Sequence, residues 1–169
     1  LAAYTYDEFK SEADDPRTES VTVVVPSGGK AGHERGVAIA EAVCFARDLV
    51  NIPANDMGPQ AIESAARSVA AKFKARLRVA SGPQLLKRNF PMIHAVGRAA
   101  VEAPRLIDFT WGRKNAPKVT LIGKGVAFDT GGLDIKPSSS MLLMKKDMGG
   151  AANVLALAQL VMGAGLDLR

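Results

Sequence analysis

Apolar residues recur along the chain at two spacings, which predict helices alternating with short strands. Apolar positions three and four residues apart predict helices over residues 31–50, 59–73 and 148–162, and a shorter helix is predicted over residues 83–87. Short runs of apolar and β-branched residues predict strands, which lie at residues 4–6, 20–26, 77–80, 92–96, 105–111 and 119–122. This alternation predicts the α/β class, with a mixed, largely parallel sheet flanked by helices.

The composition is that of a folded domain and narrows the function classes. The chain has 169 residues, of which 47% are hydrophobic and 23% charged, so a disordered or collagen-like chain is excluded. Only 5% are aromatic, which leaves few stacking platforms for single-stranded nucleic acid. No apolar run reaches about 18 residues, and Cys44 has no second cysteine with which to form an internal disulfide. We therefore expect no membrane partner and a cytoplasmic location.

The net charge of +5 leaves a second function class open. The densest basic cluster consists of Lys72, Lys74, Arg76 and Arg78, at the end of a predicted helix. Basic patches attract nucleic-acid phosphates, but a cluster of this kind is more often a solvated surface. The alternative function is therefore a non-catalytic α/β binding module with a basic surface for nucleic acid, which has little support beyond the charge itself.

The glycine-rich loop after residues 119–122 contains the residues best suited to chemistry, because ligands bind at the carboxyl ends of strands in open α/β sheets. Its glycine spacing matches neither the P-loop nor the dinucleotide-binding fingerprint. Asp129 and Asp147 are hard oxygen ligands for divalent cations. Each also has a structural interpretation, since Asp129 can stabilise a turn and Asp147 can cap the helix that follows. The histidines lie elsewhere, and we interpret His33 as a surface residue and His94 as a structural one.

Two long, ordered motifs make this loop recognisable. Residues 123–137 read Gly-Lys-Gly-x-x-Phe-Asp-Thr-Gly-Gly-x-x-x-Lys-Pro, and residues 141–152 read Met-x-x-Met-x-x-Asp-Met-Gly-Gly-Ala-Ala. Residues 47–57 add Arg-Asp-Leu-Val-Asn-Ile-Pro-Ala-Asn-Asp-Met. Together they resemble the leucyl aminopeptidase (cytosol aminopeptidase) family of dinuclear metallopeptidases, from about residue 35 to residue 169. The resemblance implies hydrolysis of neutral amino-terminal residues from peptides.

The resemblance also implies a role for each matching residue. Lys124, Asp129 and Asp147 match ligands of two divalent metal ions, Zn²⁺ or Mn²⁺, with Asp129 as a bridging ligand. Lys136 matches the catalytic lysine that binds the substrate carbonyl and stabilises the tetrahedral intermediate, for which a cation is suited. Met144 matches a residue of the pocket for the first substrate side chain. A lysine can bind a metal only as the neutral amine, which a buried setting and a nearby dication favour.

The family's site is completed by a later motif, Asn-Thr-Asp-Ala-Glu-Gly-Arg, which these 169 residues do not contain. It supplies two acidic ligands and an arginine that holds a bicarbonate, so we expect the isolated chain to be inactive. We interpret residues 1–27 as the tail of an amino-terminal domain, 28–55 as a linker helix leading into the catalytic domain, and 56–169 as the first, incomplete part of that domain. Expected partners are peptide substrates, the remainder of the same polypeptide and the other subunits of a homo-hexamer. Lys145 and Lys146 are assigned no role.

Overall fold

A computed structural model describes residues 4–12 and 22–169, and most of its regular structure is helical. The helices are α1 (Lys30–Asn51), α2 (Pro59–Lys72), α3 (Pro83–Lys87), α4 (Pro91–Gly97), α5 (Ser138–Met141) and α6 (Gly149–Gly163). The strands are β1 (Arg76–Ser81) and β2 (Arg105–Thr110), and a 3-10 helix spans Met144–Met148. The α/β class predicted from the sequence is confirmed.

The three long helices α1, α2 and α6 form where the apolar spacing predicts them. Prolines help to set their ends. Helix α2 begins at Pro59, which suits the first turn because an N–H there would have no intrahelical partner. Helix α1 ends at Asn51, and the next residue, Ile52, has the extended backbone that is favoured before a proline, here Pro53. The short helix α3 is also confirmed.

The main apolar core lies where α1, α2 and α6 meet. Its buried residues are Leu49, Met57, Ile62, Ala66, Met148, Ala152 and Leu155. Leu77 of β1 and Phe109 of β2 pack against it, and a smaller cluster around Val69 extends between α2 and α6. Met148 is only 1% exposed and ends the 3-10 helix. The core therefore anchors the segment that carries Asp147.

The two strands form an antiparallel ladder, with Arg76 opposite Thr110 and Ser81 opposite Arg105. Thus the class is as predicted, whereas this pairing is not parallel, because the chain reverses direction through α3 and α4. Glu63 of α2 fastens the ladder to the helices, since its carboxylate lies 2.5 Å from the guanidinium of Arg105.

The strand predicted over residues 92–96 is wrong, because this segment forms α4. Pro91 occupies the first turn of that helix, and a short run of consecutive apolar residues does not distinguish helix from strand. Met92 and Val96 are 73% and 74% exposed, unlike the residues of a buried strand. His94 accordingly lies half-buried on α4, whereas His33 is exposed on α1 as predicted.

Residues 119–122 do not form the predicted strand, since they belong to no ladder within the described ranges. Val119 N donates to Arg169 O and Arg169 N donates to Pro117 O, both at 2.9 Å, which is the staggered pattern of parallel strands. The strands predicted over residues 4–6 and 20–26 are not formed in the residues that the structure describes, because a β-prone run needs a neighbouring strand. Residues 20 and 21 of the second prediction lie outside the described residues.

No helix in the described ranges is long and apolar enough to span a bilayer.

Candidate functional site

Lys124 and Asp147 meet where the loop that follows residues 119–122 lies against the start of α6. The Lys124 ammonium lies 3.2 Å from one carboxylate oxygen of Asp147. The backbone is fixed at the same place, because Ala151 N in the first turn of α6 donates to Lys124 O at 2.8 Å. The side chain of Lys124 is 61% exposed and that of Asp147 is 19% exposed. A loop and a 3-10 helix thus present an amine and a carboxylate to one open surface.

Two glycines allow the backbones to approach this closely. A Cβ on Gly150 would lie 2.8 Å from Lys124 N, and a Cβ on Gly123 would lie 2.5 Å from Gly150 O. Real Cβ atoms do not approach backbone atoms this closely, so any larger residue would push the two segments apart. A Cβ on Gly125 or Gly149 would instead meet its nearest neighbour at 3.5 or 3.8 Å, which is ordinary contact.

Asp147 does not cap α6, so that interpretation of the sequence is wrong. Met148 is the N-cap residue, and no side chain caps the helix. Asp147 lies on the preceding 3-10 helix, where its Oδ2 faces Lys124 at 3.2 Å and its Oδ1 faces Lys146 at 3.4 Å. Both carboxylate oxygens are therefore turned toward ammonium groups.

Asp129 and Lys136 are brought together by a tight turn. The Lys136 ammonium lies 2.8 Å from Asp129 Oδ2 and also donates to the Asp129 carbonyl oxygen at 3.1 Å. Gly131 N donates to Asp129 Oδ1 at 2.9 Å, which confirms Asp129 as a turn residue. Gly131 has a φ of 89°, where a side chain would be strained and a Cβ would clash with Asp134 O. The same turn therefore serves both structure and site.

Met144 joins these two halves of the site. Its side chain is buried, at 7% exposure, and its sulfur accepts a hydrogen bond from Asp129 N at 3.1 Å. Met144 also begins the 3-10 helix that carries Asp147. Through this contact the structure brings all five predicted site residues into one cluster, namely Lys124, Asp129, Lys136, Met144 and Asp147.

The electrostatics of the cluster favour ionised carboxylates. The hydrogen bond from Lys136 lowers the pKa of Asp129, and the N–H of Gly131 and the charges of Lys136 and Lys124 act in the same direction. The hydrogen bond from Lys124 lowers the pKa of Asp147 against an opposing effect of desolvation, and Lys146 reinforces it. Both aspartates are consequently held in the charged form that a metal ligand requires.

Sequence reasoning missed the surroundings of two lysines. Lys146 faces Asp147, and Lys145 donates to the backbone oxygen of Asn51 at 3.1 Å. The 3-10 helix over Met144–Met148 is not predicted from the sequence either. A sequence signal is nevertheless present, because methionines at both ends with charged residues between them indicate one buried and one exposed face. The two neighbouring lysines therefore have different environments, since Lys146 is exposed and Lys145 is half-buried.

A cavity of about 320 Å³ adjoins the cluster. It is lined by Ser139, Ser140, Leu142, Leu143, Met144, Lys146 and Asp147. A larger cavity of about 440 Å³ lies between α1 and α6 and includes none of the five predicted site residues in its lining. The smaller cavity is therefore the one placed to receive a group that reacts beside Asp147.

The donors in the cluster fit part of a divalent-metal site. Two carboxylates and one amine are suitable ligands, but zinc usually takes about four donors and often includes histidine or cysteine. Within the described ranges no group of three or more His, Cys, Asp or Glu side chains could hold a metal. The ammonium groups of three lysines, Lys124, Lys136 and Lys146, pair with the carboxylates of the two aspartates, as metal cations would in a metal-bound site.

Comparison with known proteins gives one consistent family. The profile of the cytosol aminopeptidase family, catalytic domain, matches residues 44–169. The probable cytosol aminopeptidase of Corynebacterium glutamicum is 38% identical over 160 residues, covering 92% of this chain and 32% of that protein.

Solved structures agree with this result. The crystal structure of cytosol aminopeptidase from Coxiella burnetii is 42% identical with a TM-score of 0.89, covering 99% of this chain and 35% of that one. The bottromycin maturation enzyme BotP in complex with Mn is 39% identical with a TM-score of 0.83, covering 98% of this chain and 34% of that one. The chain spans about a third of the length of these relatives.

Proposed function

Because the chain belongs to the cytosol aminopeptidase family, we propose that the polypeptide carrying it is a metal-dependent aminopeptidase acting on neutral amino-terminal residues. The observation that carries the proposal is the meeting of Lys124 with Asp147, 3.2 Å apart, beside the Asp129 turn. These residues are distant in sequence, and a purely structural role would not require an amine and two carboxylates at one exposed surface.

Lys124, Asp129 and Asp147 are the proposed metal ligands, and Asp129 is the proposed bridge between two ions. The lowered pKa values of the two aspartates support this assignment, because a carboxylate binds a metal in its ionised form. Bound divalent ions would lower the pKa of a water molecule and hold the free amine of a peptide. Mn²⁺ or Zn²⁺ would suit the site, and Mn appears in the BotP complex. A bicarbonate ion in the complete enzyme is a further part of this proposal.

Lys136 is the proposed catalytic lysine. Its ammonium pairs with Asp129 at 2.8 Å and its side chain is 35% exposed, so the ammonium can turn toward a bound peptide when Asp129 binds a cation instead. A cation held there would stabilise the negative charge that develops on the substrate carbonyl oxygen. Met144 is the proposed floor of the pocket for the first side chain, since it lines the cavity of about 320 Å³ beside Asp147.

The remaining parts of the proposal concern the whole polypeptide. We infer that residues 1–27 end an amino-terminal domain, that 28–55 link it to the catalytic domain, and that 56–169 begin that domain. The extent of α1, Lys30–Asn51, supports the linker, and the family match over residues 44–169 supports the catalytic part. A homo-hexamer in the cytoplasm is the proposed assembly and location. Nothing in the comparisons favours the nucleic-acid alternative.

The test compares matched aspartate variants in the full-length gene product. We expect the wild type to hydrolyse leucine-p-nitroanilide with Mn²⁺ or Zn²⁺, to lose activity with a chelator, and to recover it with added metal. Asp147→Asn should lower kcat/KM at least about 100-fold, whereas Asp167→Asn, a surface change at the Arg113 ion pair, should leave it unchanged. A metal-independent wild type, or equal behaviour of the two variants, would contradict the proposal.

The isolated 169 residues provide a second test. We expect this piece alone to be inactive, because two carboxylates and one amine leave two metal ions short of donors. Hydrolysis of leucine-p-nitroanilide by the purified piece with either metal would show that this expectation is wrong.

A further inference from the structure

Lys145 makes a contact that links the candidate site to a distant helix. Its ammonium donates to the backbone oxygen of Asn51 at 3.1 Å, and the contact is partly buried. Asn51 is the last residue of α1, and the last four carbonyl groups of a helix have no partner within it. Lys145 therefore satisfies one of these oxygens from another part of the chain.

The end of α1 is well suited to receive a cation. Carbonyl groups at a helix C-terminus carry partial negative charge, and α1 has no basic residue in its own last turn. The side chain of Asn51 is held as well, since its Nδ2 donates to Tyr4 Oη at 3.3 Å. Lys145 thus attaches to a residue that is itself fixed, rather than to a loop.

The attachment lies in the short segment that determines where Asp147 sits. A 3-10 helix has poorer hydrogen-bond geometry than an α-helix and relies on its surroundings to hold its position. Here Met144 and Met148 are buried at the two ends, with 7% and 1% exposure, and Lys145 supplies the polar attachment between them. Asp147 and Lys146 point to the open side, where they contact each other.

We propose that Lys145 is a positioning residue for Asp147: it fixes the 3-10 helix to the C-terminus of α1 and so sets the place of a metal-binding carboxylate. Lys145 itself does not contact the metal or the substrate. The inference rests on the proposed function, because it requires Asp147 to bind a divalent ion. A positioning role for Lys145 differs from a general contribution to folding, because removing the ammonium should mainly weaken metal binding rather than lower the stability of the protein.

The experiment uses three variants of the full-length gene product. Lys145→Met keeps the apolar stem and removes the ammonium, Lys145→Arg restores a cationic donor, and Lys87→Met is the matched change at an exposed lysine on α3. For each, Mn²⁺ binding is measured by titration, the unfolding midpoint by heating the metal-free protein, and kcat and KM at saturating Mn²⁺.

We expect Lys145→Met to weaken Mn²⁺ binding about 10- to 100-fold, as loss of an outer partner of a metal ligand typically does. At saturating Mn²⁺ the residual loss should fall on kcat rather than KM, Lys145→Arg should recover to within a few-fold, and Lys87→Met should match the wild type. Wild-type Mn²⁺ affinity in Lys145→Met, or an arginine variant no better than the methionine variant, would overturn the inference while leaving the proposed function intact. A wild type that neither binds Mn²⁺ nor hydrolyses leucine-p-nitroanilide would overturn both.

Discussion

Four glycines of the two motifs should respond very differently to the same substitution. Gly123 and Gly150 lie where two backbones touch, whereas Gly125 and Gly149 have ordinary space around the position of a Cβ. We expect Gly150→Ala to be damaging and Gly149→Ala, its neighbour in the first turn of α6, to be tolerated. The two motifs alone would assign the same importance to all four glycines.

The magnitude follows from the distances. In Gly150→Ala the new Cβ would lie 2.8 Å from Lys124 N, so the segments must move apart. Overpacking of this kind destabilises by about 1–3 kcal/mol, and weakening the hydrogen bond from Ala151 N to Lys124 O adds about 1 kcal/mol. The helical advantage of alanine over glycine, about 1 kcal/mol, applies to both Gly149 and Gly150 and cancels between them. The two variants should therefore differ by about 2–4 kcal/mol.

Amide hydrogen exchange measures this difference at the crossing itself. Exchange of the peptide that contains Ala151 should be about 30- to 900-fold faster in Gly150→Ala than in Gly149→Ala, since each 1.36 kcal/mol is about tenfold. Gly123→Ala should behave like Gly150→Ala, and Gly125→Ala like Gly149→Ala. Equal exchange in Gly149→Ala and Gly150→Ala would refute the reasoning, because these variants differ only in the atoms that the new methyl group meets.

Three further contacts give testable expectations for the full-length protein. Glu63→Gln should lower the free energy of unfolding by about 1–3 kcal/mol in urea denaturation, because Arg105 loses a half-buried charged partner, whereas Arg67→Gln, at an exposed pair, should change it by less than about 1 kcal/mol. Desolvation raises the pKa of Glu63, but pairing with Arg67 and Arg105 outweighs it and lowers the pKa below 4.5. The contribution of these ion pairs to the free energy of unfolding should therefore be complete above pH 4.5 and be lost as the pH falls through the lowered pKa. Glu102→Ala should cost about 1 kcal/mol in the same assay, because its carboxylate accepts the N–H of Gln60 in the first turn of α2. Tyr4→Phe should speed limited proteolysis of the amino-terminal segment, because its hydroxyl donates to a carboxylate of α1 at 2.6 Å.

The parts of the fold that sequence predicts well are those that local signals determine. Helix α2 has a proline at its start and a regular apolar face, and both are readable without a structure. Helix α4 is predicted as a strand because its apolar run has no clear period, although Pro91 in its first turn is a signal that favours a helix. The segment 119–122 is β-prone but depends on a neighbouring strand, which its own residues cannot reveal.

In the candidate site, too, the sequence predicts what local signals determine and does not predict what depends on distant contacts. The motif points to Lys124 and Asp147, and general chemistry explains why these residue types suit a metal. The sequence does not show that Asp147 lies on a 3-10 helix instead of capping α6, because the buried methionines on either side determine that outcome. Nor does it reveal the contact of Lys145 with Asn51, which joins positions 94 residues apart.

Oxidation of the Met144 sulfur would damage the site even though Met144 is not a proposed metal ligand. Oxidants convert a methionine thioether to a sulfoxide, which is polar, bulkier and chiral. At 7% exposure Met144 is largely shielded from peroxide, so its oxidation should be slow, but its sulfur already accepts a hydrogen bond from Asp129 N that an added oxygen would disturb. Once oxidised, Met144 would separate the Asp129 turn from the helix that carries Asp147. One added oxygen atom on Met144 would thus increase the distance between the carboxylates of Asp129 and Asp147. Methionine sulfoxide reductase would reverse the damage.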